Sequence, residues 1–265
     1  MNMKVFAALI VVLLPSLCFA VDVPSGTKND AYDNLLKKYV NGQGLVAYEK
    51  WKSNADDMKA LDDYVAQFAK SGSATGNERY ASLINAYNAF VLQWILQNYP
   101  TESIWALKDS FKAKRHKVGG QIISLDDIEN TALRPEFGYR THAMLVCAAR
   151  SCPPLPQSGV SAGALDEQVA RGYRNWLSRT DLNEFSPEKN EANVSSIFKW
   201  FKGDFEKAGG AKAVIAKYAP AAARPLLEKA DVKLTYKSYN WGLNDQGPHG
   251  RHYSNTNLIF NNIFK

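Results

Sequence analysis

The stretch 80-YASLINAYNAFVLQWILQ-97 decides the fold. Its apolar residues Leu83, Ile84, Tyr87, Phe90, Val91, Leu92, Trp94 and Ile95 surround a helical axis instead of lining one side of it. A helix that is apolar on nearly every side has no face suited to water, so it belongs at the centre of the molecule. Pro100 closes it, and the Ser/Gly-rich run from Ser71 to Asn77 precedes it. Asn88 interrupts the stripe Ile84–Asn88–Val91–Ile95. A buried amide left without partners costs about 1–3 kcal/mol. Asn88 is therefore either a clip for a neighbouring loop or a donor lining a site.

Elements assemble outward from that helix. Asp30 to Val40 and Ala55 to Lys70 read as helices, the second with Leu61, Tyr64, Val65 and Phe68 as one buried stripe. Gly119-Gly120 between β-prone runs predicts a hairpin over 117–123. Ser124 to Asp127 fits a capping box with Asp in place of Glu or Gln, opening a short helix that ends before Pro135. His142 to Ala148 reads as a buried strand. A helix starting at Ser161 carries Leu165, Val169, Tyr173, Trp176 and Leu177 on one face. Asp181 to Val194 is irregular or a hairpin, and Ser196 to Ala208 is a helix closed by Gly209-Gly210. Ala211 to Ala230 is helical with a break at Pro225, and alternation over 232–237 marks a strand with one wet face. Helices dominate and do not alternate strictly with strands. This predicts an α+β fold: a single helix-rich domain with a small, mainly antiparallel sheet around a central buried helix.

The first twenty residues read MNMKVFAALIVVLLPSLCFA. A positive Lys4, an apolar core from Val5 to Leu14 and a small residue at Ala20 are the layout of a signal peptide. The apolar run is shorter than the roughly 20 residues a membrane span needs. The expectation is a cleaved leader over 1–20 and one globular domain over 21–265, periplasmic or secreted, with no transmembrane segment after cleavage. The formal net charge is +6, lowered by one when Lys4 leaves. That mild excess favours anionic neighbours. The basic run Lys112, Lys114, Arg115, His116, Lys117 lacks interleaved aromatics for stacking bases, so no nucleic-acid partner is expected. A small-molecule or peptide ligand of unspecified identity is. His249 and His252 give only a weak metal-type spacing, and neither metal nor cofactor is expected.

The chemistry-bearing residues gather around 142-HAMLVCAARSCPP-154. On a straight strand His142 and Cys147, five apart, point to opposite faces. Cys152 follows the run and precedes Pro153, and a chain reversal over Ala149 to Ser151 would bring it back beside the strand end. Arg150 would favour its thiolate, the reactive form. Once Cys18 leaves with the leader, Cys147 and Cys152 remain. A nucleophilic Cys152, a Cys147–Cys152 disulfide and two inert thiols all stay open. His142 is a base or a satisfied core group. Asp126 and Asp127 have capping duties, whereas Glu129 does not and can orient His142.

Five motifs occur in order: Tyr87 to Phe90, Leu125 to Asn130, His142 to Leu155, Ile197 to Phe205 and Tyr239 to Asn244. Together they resemble the domain of unknown function 547 family over about Tyr80 to Asn244. Ala148 stands where that family often has glycine, and Gly242 where it often has serine. The resemblance implies a shared domain and no activity. It groups Asn88, Glu129, His142, Cys152, Lys199 and Asp204 as motif residues, with Trp200 and Asp204 on one helical face. The leading expectation is a thiol-dependent hydrolase or acyl transferase, with Cys152 as nucleophile, His142 as base and Glu129 as orienter. Asn88, Arg150, Lys199, Trp200 and Asp204 would bind substrate. The order of helix and histidine is loosely similar to papain-like and transglutaminase-like enzymes, which set their cysteine at the start of the central helix, where this chain has Asn88. The alternative is a non-catalytic periplasmic binding or assembly protein with a structural disulfide.

Overall fold

The computed structural model describes residues 21–251 and 253. The leader read over 1–20, His252 and the tail from 254 lie outside them. Ten α-helices stand among the described residues: α1 (Asp30–Tyr39), α2 (Tyr48–Lys52), α3 (Ala55–Ala66), α4 (Gly76–Asn98), α5 (Arg134–Phe137), α6 (Leu165–Leu177), α7 (Ile197–Trp200), α8 (Lys202–Glu206), α9 (Ala211–Tyr218) and α10 (Arg224–Glu228). Strands β1 (His116–Val118) and β2 (Gln121–Ile123) form one sheet, and β3 (Glu184–Ser186), β4 (Glu191–Ser195) and β5 (Lys233–Lys237) form a second in that order. The pairs β1–β2 and β3–β4 are antiparallel, and β4–β5 is parallel. The fold is α+β.

Helix α4 is the axis that the apolar run demanded, since every residue from Tyr80 to Leu92 is buried. Other helices turn one stripe toward the same core: Tyr32, Leu35, Leu36 and Tyr39 of α1, and Leu165, Val169, Tyr173, Trp176 and Leu177 of α6. Aromatic stacking ties the stripes together, with Tyr32 on Tyr64 at 4.4 Å and Trp176 on Phe198 at 4.8 Å. The buried apolar side chains form one cluster reaching from Val21 to Leu243. No helix among the described residues is long and apolar enough to cross a membrane.

Two amides on α4 hold two passing segments that have no ladder of their own. Asn85 donates to the Val160 carbonyl and accepts from the Val160 N–H, both at 2.8 Å. Asn88 donates to the Met144 carbonyl and accepts from the Val146 N–H, both at 2.9 Å. Each amide stands in for a neighbouring strand, satisfying buried backbone that would otherwise be orphaned.

The strand expected over His142 to Ala148 is not formed. Residues Gly138–Ala143 make a 3₁₀ helix, and 144–148 run on without a strand partner. The reason is where the hydrogen bonds go. Asn88 takes the backbone of Met144 and Val146, and the Asn244 N–H takes the Ala148 carbonyl at 2.9 Å. With its polar groups answered by a side chain and a distant loop, the run has no need of a ladder.

Three helix boundaries also differ from expectation. Helical structure does not end before Pro135. A π-helix over Asp127–Leu133 passes directly into α5, in which Pro135 is the second residue. The capping box itself forms, with Ser124 Oγ accepting from the Asp127 N–H at 3.0 Å and Asp127 Oδ2 accepting from the Ser124 N–H at 2.9 Å. The helix over 196–208 breaks at Phe201 (φ −104, ψ 30), giving α7 and α8. The break over 211–230 falls at Pro220, while Pro225 opens α10.

Candidate functional site

A cleft of about 740 Å³ opens where the 138–155 segment, the π-helix, α7 and the 239–241 segment meet. One wall is aromatic. Trp241 stacks on Trp200 at 5.9 Å, lies against Tyr239 at 4.5 Å and meets the edge of Trp105 at 5.5 Å. The lining also carries the charged residues Asp126, Glu129, Arg134, Lys108 and Lys112. Cys147, Cys152 and His142 all border this space. Cys147 and His142 thus share one cavity although strand alternation would separate them, because no strand is there.

The reversal after the 142–148 run brings the sulfurs together. Ala148 adopts φ 60, the Cys152 N–H reaches the Ala149 carbonyl at 3.1 Å, and the two Sγ atoms stand 2.7 Å apart. Left-handed backbone costs an L-residue roughly 1–2 kcal/mol and glycine almost nothing, which accounts for the glycine the resembled family often has there. The segment following Trp200 and β5 pins this turn. The Arg150 N–H donates to the Gly242 carbonyl at 2.8 Å, and the Ser151 N–H donates to the Asn240 carbonyl at 3.2 Å. At Gly242 a Cβ would meet the Gly250 carbonyl oxygen at 1.9 Å, so a serine there is incompatible with this backbone approach.

The sulfurs are not equivalent. Cys152 Sγ accepts from the Cys147 N–H at 3.2 Å and from the Tyr239 hydroxyl at 3.3 Å. Burial works against its thiolate, but hydrogen bonds from the Cys147 thiol, the Tyr239 hydroxyl and nearby backbone outweigh it and hold the Cys152 thiol below its ordinary value. Cys147 goes the other way: its hydrogen bond to Cys152, and then burial, push its thiol well up. Of the pair, Cys152 is the sulfur whose thiolate is favoured and Cys147 the one favoured as a thiol.

His142 is held from behind. Its Nε2 lies 2.8 Å from Asp204 Oδ2, the same oxygen that accepts from Arg134 Nε at 2.8 Å, and its ring stacks on Phe201 at 4.3 Å. Burial opposes the Asp204 carboxylate, yet the hydrogen bonds from His142 and Arg134 bring its pKa down to about 2. A carboxylate only accepts, so Nε2 carries the proton and Nδ1 the lone pair. Burial outweighs Asp204 and lowers the His142 pKa, keeping the imidazole neutral near pH 7. No hydrogen bond joins His142 to either sulfur among the described residues.

The carboxylate hydrogen-bonded to His142 is Asp204 of α8, and not Glu129 as expected. Glu129 is on the π-helix, accepting from the Tyr87 hydroxyl at 3.2 Å. Burial raises its carboxyl to about 6, partly offset by Arg134 and Tyr87. Such raised carboxyl groups cluster at functional clefts, and π-turns are frequent there as well. Of the residues expected to bind substrate, Trp200 lines the cleft. Asn88 is buried away from it as the clip of the 144–146 backbone. Lys199 is exposed, its ammonium 6.0 Å from the Tyr236 ring. Arg150 donates to the carbonyls of Asp245 and His249. Neither borders the cleft. Sequence reasoning gave no role to Tyr87, Trp105, Arg134, Tyr239 or Trp241. The signal for the last two was present in the Tyr239 to Asn244 motif, in a loop whose partner could not be read.

No curated protein and no solved structure shows a significant match to the chain. A family model matches residues 72–177, which hold Glu129, His142, Cys147 and Cys152 but stop short of Asp204 and Tyr239. The model that matches is that of the family described as "Protein of unknown function, DUF547", the family the motifs resemble.

Proposed function

We propose that the protein is a thiol-dependent hydrolase or acyl transferase, exported by its leader and acting with Cys152 as nucleophile. The observation that carries this reading is the set of donors on Cys152 Sγ in the wall of a large cleft that also holds a His142–Asp204 dyad. The thiolate attacks the carbonyl carbon of an ester or amide, and collapse of the tetrahedral adduct expels the leaving group, which takes up a proton from solvent in the cleft. The product is a thioester on Cys152. His142, with its lone pair on Nδ1, then takes a proton from water or an acceptor alcohol or amine as that group attacks the thioester; the Cys152 thiolate leaves, and His142 passes the proton to solvent, replacing the one the first leaving group took up. Asp204 fixes the imidazole tautomer and stabilises the imidazolium formed in passing, as in nucleophile–base–carboxylate systems generally.

The test is a panel of chromogenic esters with the full mature chain. The expected result is a burst of one leaving group per chain and a thioester on Cys152 by peptide mass spectrometry. Cys152→Ser should lower turnover by at least about a thousandfold. Unchanged turnover in that variant, or acylation elsewhere, overturns the reading. A second reading, a binding protein whose Cys147 and Cys152 are a permanent staple, draws on the contact between the sulfurs. It requires that neither thiol react in the folded protein.

A further inference from the structure

We propose that Cys147 and Cys152 form a reversible dithiol–disulfide pair, in which Cys152 attacks small disulfides entering the cleft and Cys147 resolves the adduct. The pairing stands on the surroundings of the two sulfurs and does not require the acyl chemistry. Its consequence, that a closed pair silences the acyl chemistry, rests on the reading of Cys152 as nucleophile.

Three observations carry it. The first is position: the sulfurs are in contact at 2.7 Å, against about 2.05 Å for a bond. The loop between them is already folded for closure, pinned through Arg150 and Ser151 to the carbonyls of Gly242 and Asn240. The second is asymmetry. Cys152 receives the Cys147 N–H and the Tyr239 hydroxyl, while the Tyr239 oxygen lies at 3.9 Å from Cys147 Sγ. Exchange needs one stabilised attacking sulfur and one that waits as a thiol. The third is access, since both residues line the cleft, Cys147 half-buried and Cys152 buried in its wall. A staple would require neither thiolate donors nor a cavity. It would also gain little here, because a bond from 147 to 152 closes only a short loop of the unfolded chain.

The steps balance. The Cys152 thiolate attacks one sulfur of a small disulfide such as oxidised glutathione; a mixed disulfide forms on Cys152 and one glutathione thiolate leaves. Cys147 loses its proton to the solvent as its sulfur attacks Cys152 Sγ. The Cys147–Cys152 bond forms and the second glutathione thiolate leaves. Two protein thiols are oxidised and one disulfide is reduced to two thiols. Excess reduced glutathione runs the sequence backward.

The test equilibrates the full mature chain in graded mixtures of reduced and oxidised glutathione, quenches with acid, and locates free and bonded cysteines by peptide mass spectrometry. In the wild type the Cys147–Cys152 disulfide should rise and fall with the mixture. In Cys147→Ser the mixed disulfide should accumulate on Cys152, and in Cys152→Ser Cys147 should remain a thiol. Iodoacetamide should modify Cys152 of the reduced protein at least about tenfold faster than Cys147. Cys147→Ala, checked by circular dichroism, replaces Cys147→Ser if the latter fails to fold. A wild type that stops at the mixed disulfide, or a bond that reduced glutathione cannot open in the folded protein, overturns the proposal. The ester panel separates the two readings. A protein that cycles its sulfurs but is never acylated sinks the acyl-transfer reading alone. One that is acylated but never cycles sinks the dithiol pair alone.

Discussion

Helix α4 and the segment 138–155 pack against each other and are built on opposite rules. In α4 the backbone satisfies itself and burial is continuous from Tyr80 to Leu92, so apolar packing holds it. The segment has a short 3₁₀ turn, then a path whose buried N–H and C=O groups are answered by Asn88 and by the loop from Asn240 to Asn244. The cleft draws Tyr87 from the helix but His142, Leu145, Cys147 and Cys152 from the segment. The regular element supplies rigidity, and the irregular one aims side chains in directions that no helix or strand permits. What makes such a segment precise enough for chemistry is a small number of side-chain hydrogen bonds from the rigid neighbour.

The sharpest way to break this comparison is Asn88→Leu. The branching of the side chain is kept, but the Met144 carbonyl and the Val146 N–H lose their partners inside the core. Each orphaned group costs about 1–3 kcal/mol, so the expected loss is about 3–5 kcal/mol in denaturant unfolding. Ile84→Val, one turn away on the same buried helix, should cost only about 1 kcal/mol. Equal losses from the two changes would mean that packing, and not the amide, holds the segment.

Glu129→Gln tests whether the cleft side stores a cost that α4 does not. Folding raises the Glu129 carboxyl from 4.5 to about 6, so the folded state holds the proton more tightly than the unfolded chain. The ionised form is therefore a penalty that is absent at acid pH and grows as pH rises through that window. Because the side chain lies in the cleft wall and is not sealed off, the expected gain in the glutamine variant is about 1–2 kcal/mol above pH 6. That gain should vanish below about pH 4.5. Unfolding midpoints measured from pH 4 to 8 read it directly. A variant less stable than wild type at neutral pH would show that the carboxylate is a structural ion-pair member instead. A gain in stability accompanied by loss of ester turnover would mark Glu129 as retained for function.

Much of the architecture was legible because its causes are local. The all-round apolarity of 80–97, the one-sided stripes of α1 and α6, the Gly119-Gly120 turn and the Ser124–Asp127 box each depend on residues within a few positions. The segment 142–148 was misread for the converse reason. A short apolar run is compatible with a strand, and only Asn88 and Asn244, far away in the chain, decide otherwise. The site was legible as a set of residues and not as a set of roles. His142, Glu129 and Cys152 do border one cleft, yet the partner of His142 is Asp204, separated from it by 62 positions. The break at Phe201 lies two residues before Gly203, in a run whose apolar spacing otherwise reads as one continuous helix. Tyr239 reaches Cys152 across 87 positions, and nothing around Cys152 announces it.

The smallest expected effect lies at Ala148, where the two rules meet most closely. This residue turns the segment back so that Cys152 faces Cys147, and it does so at φ 60. An alanine there carries roughly 1–2 kcal/mol of left-handed strain. Ala148→Gly removes that strain but lets the unfolded chain keep more freedom, which costs about 0.4–1 kcal/mol. The net should be a stabilisation of up to about 1 kcal/mol, since the strain removed exceeds the entropy lost. The side chain is buried, but a single methyl contributes little packing to offset this. The turn itself is fixed by the Asn244 N–H on the Ala148 carbonyl, and this bond survives the substitution. The sulfurs should therefore stay in register, and the iodoacetamide rate at Cys152 should be unchanged while the unfolding midpoint rises. A fall in stability with a slower Cys152 would show that the methyl group, and not the long-range hydrogen bonds, holds the reversal. The contrast between a packed helix and a hydrogen-bonded segment would then fail at the residue where it matters most to the site.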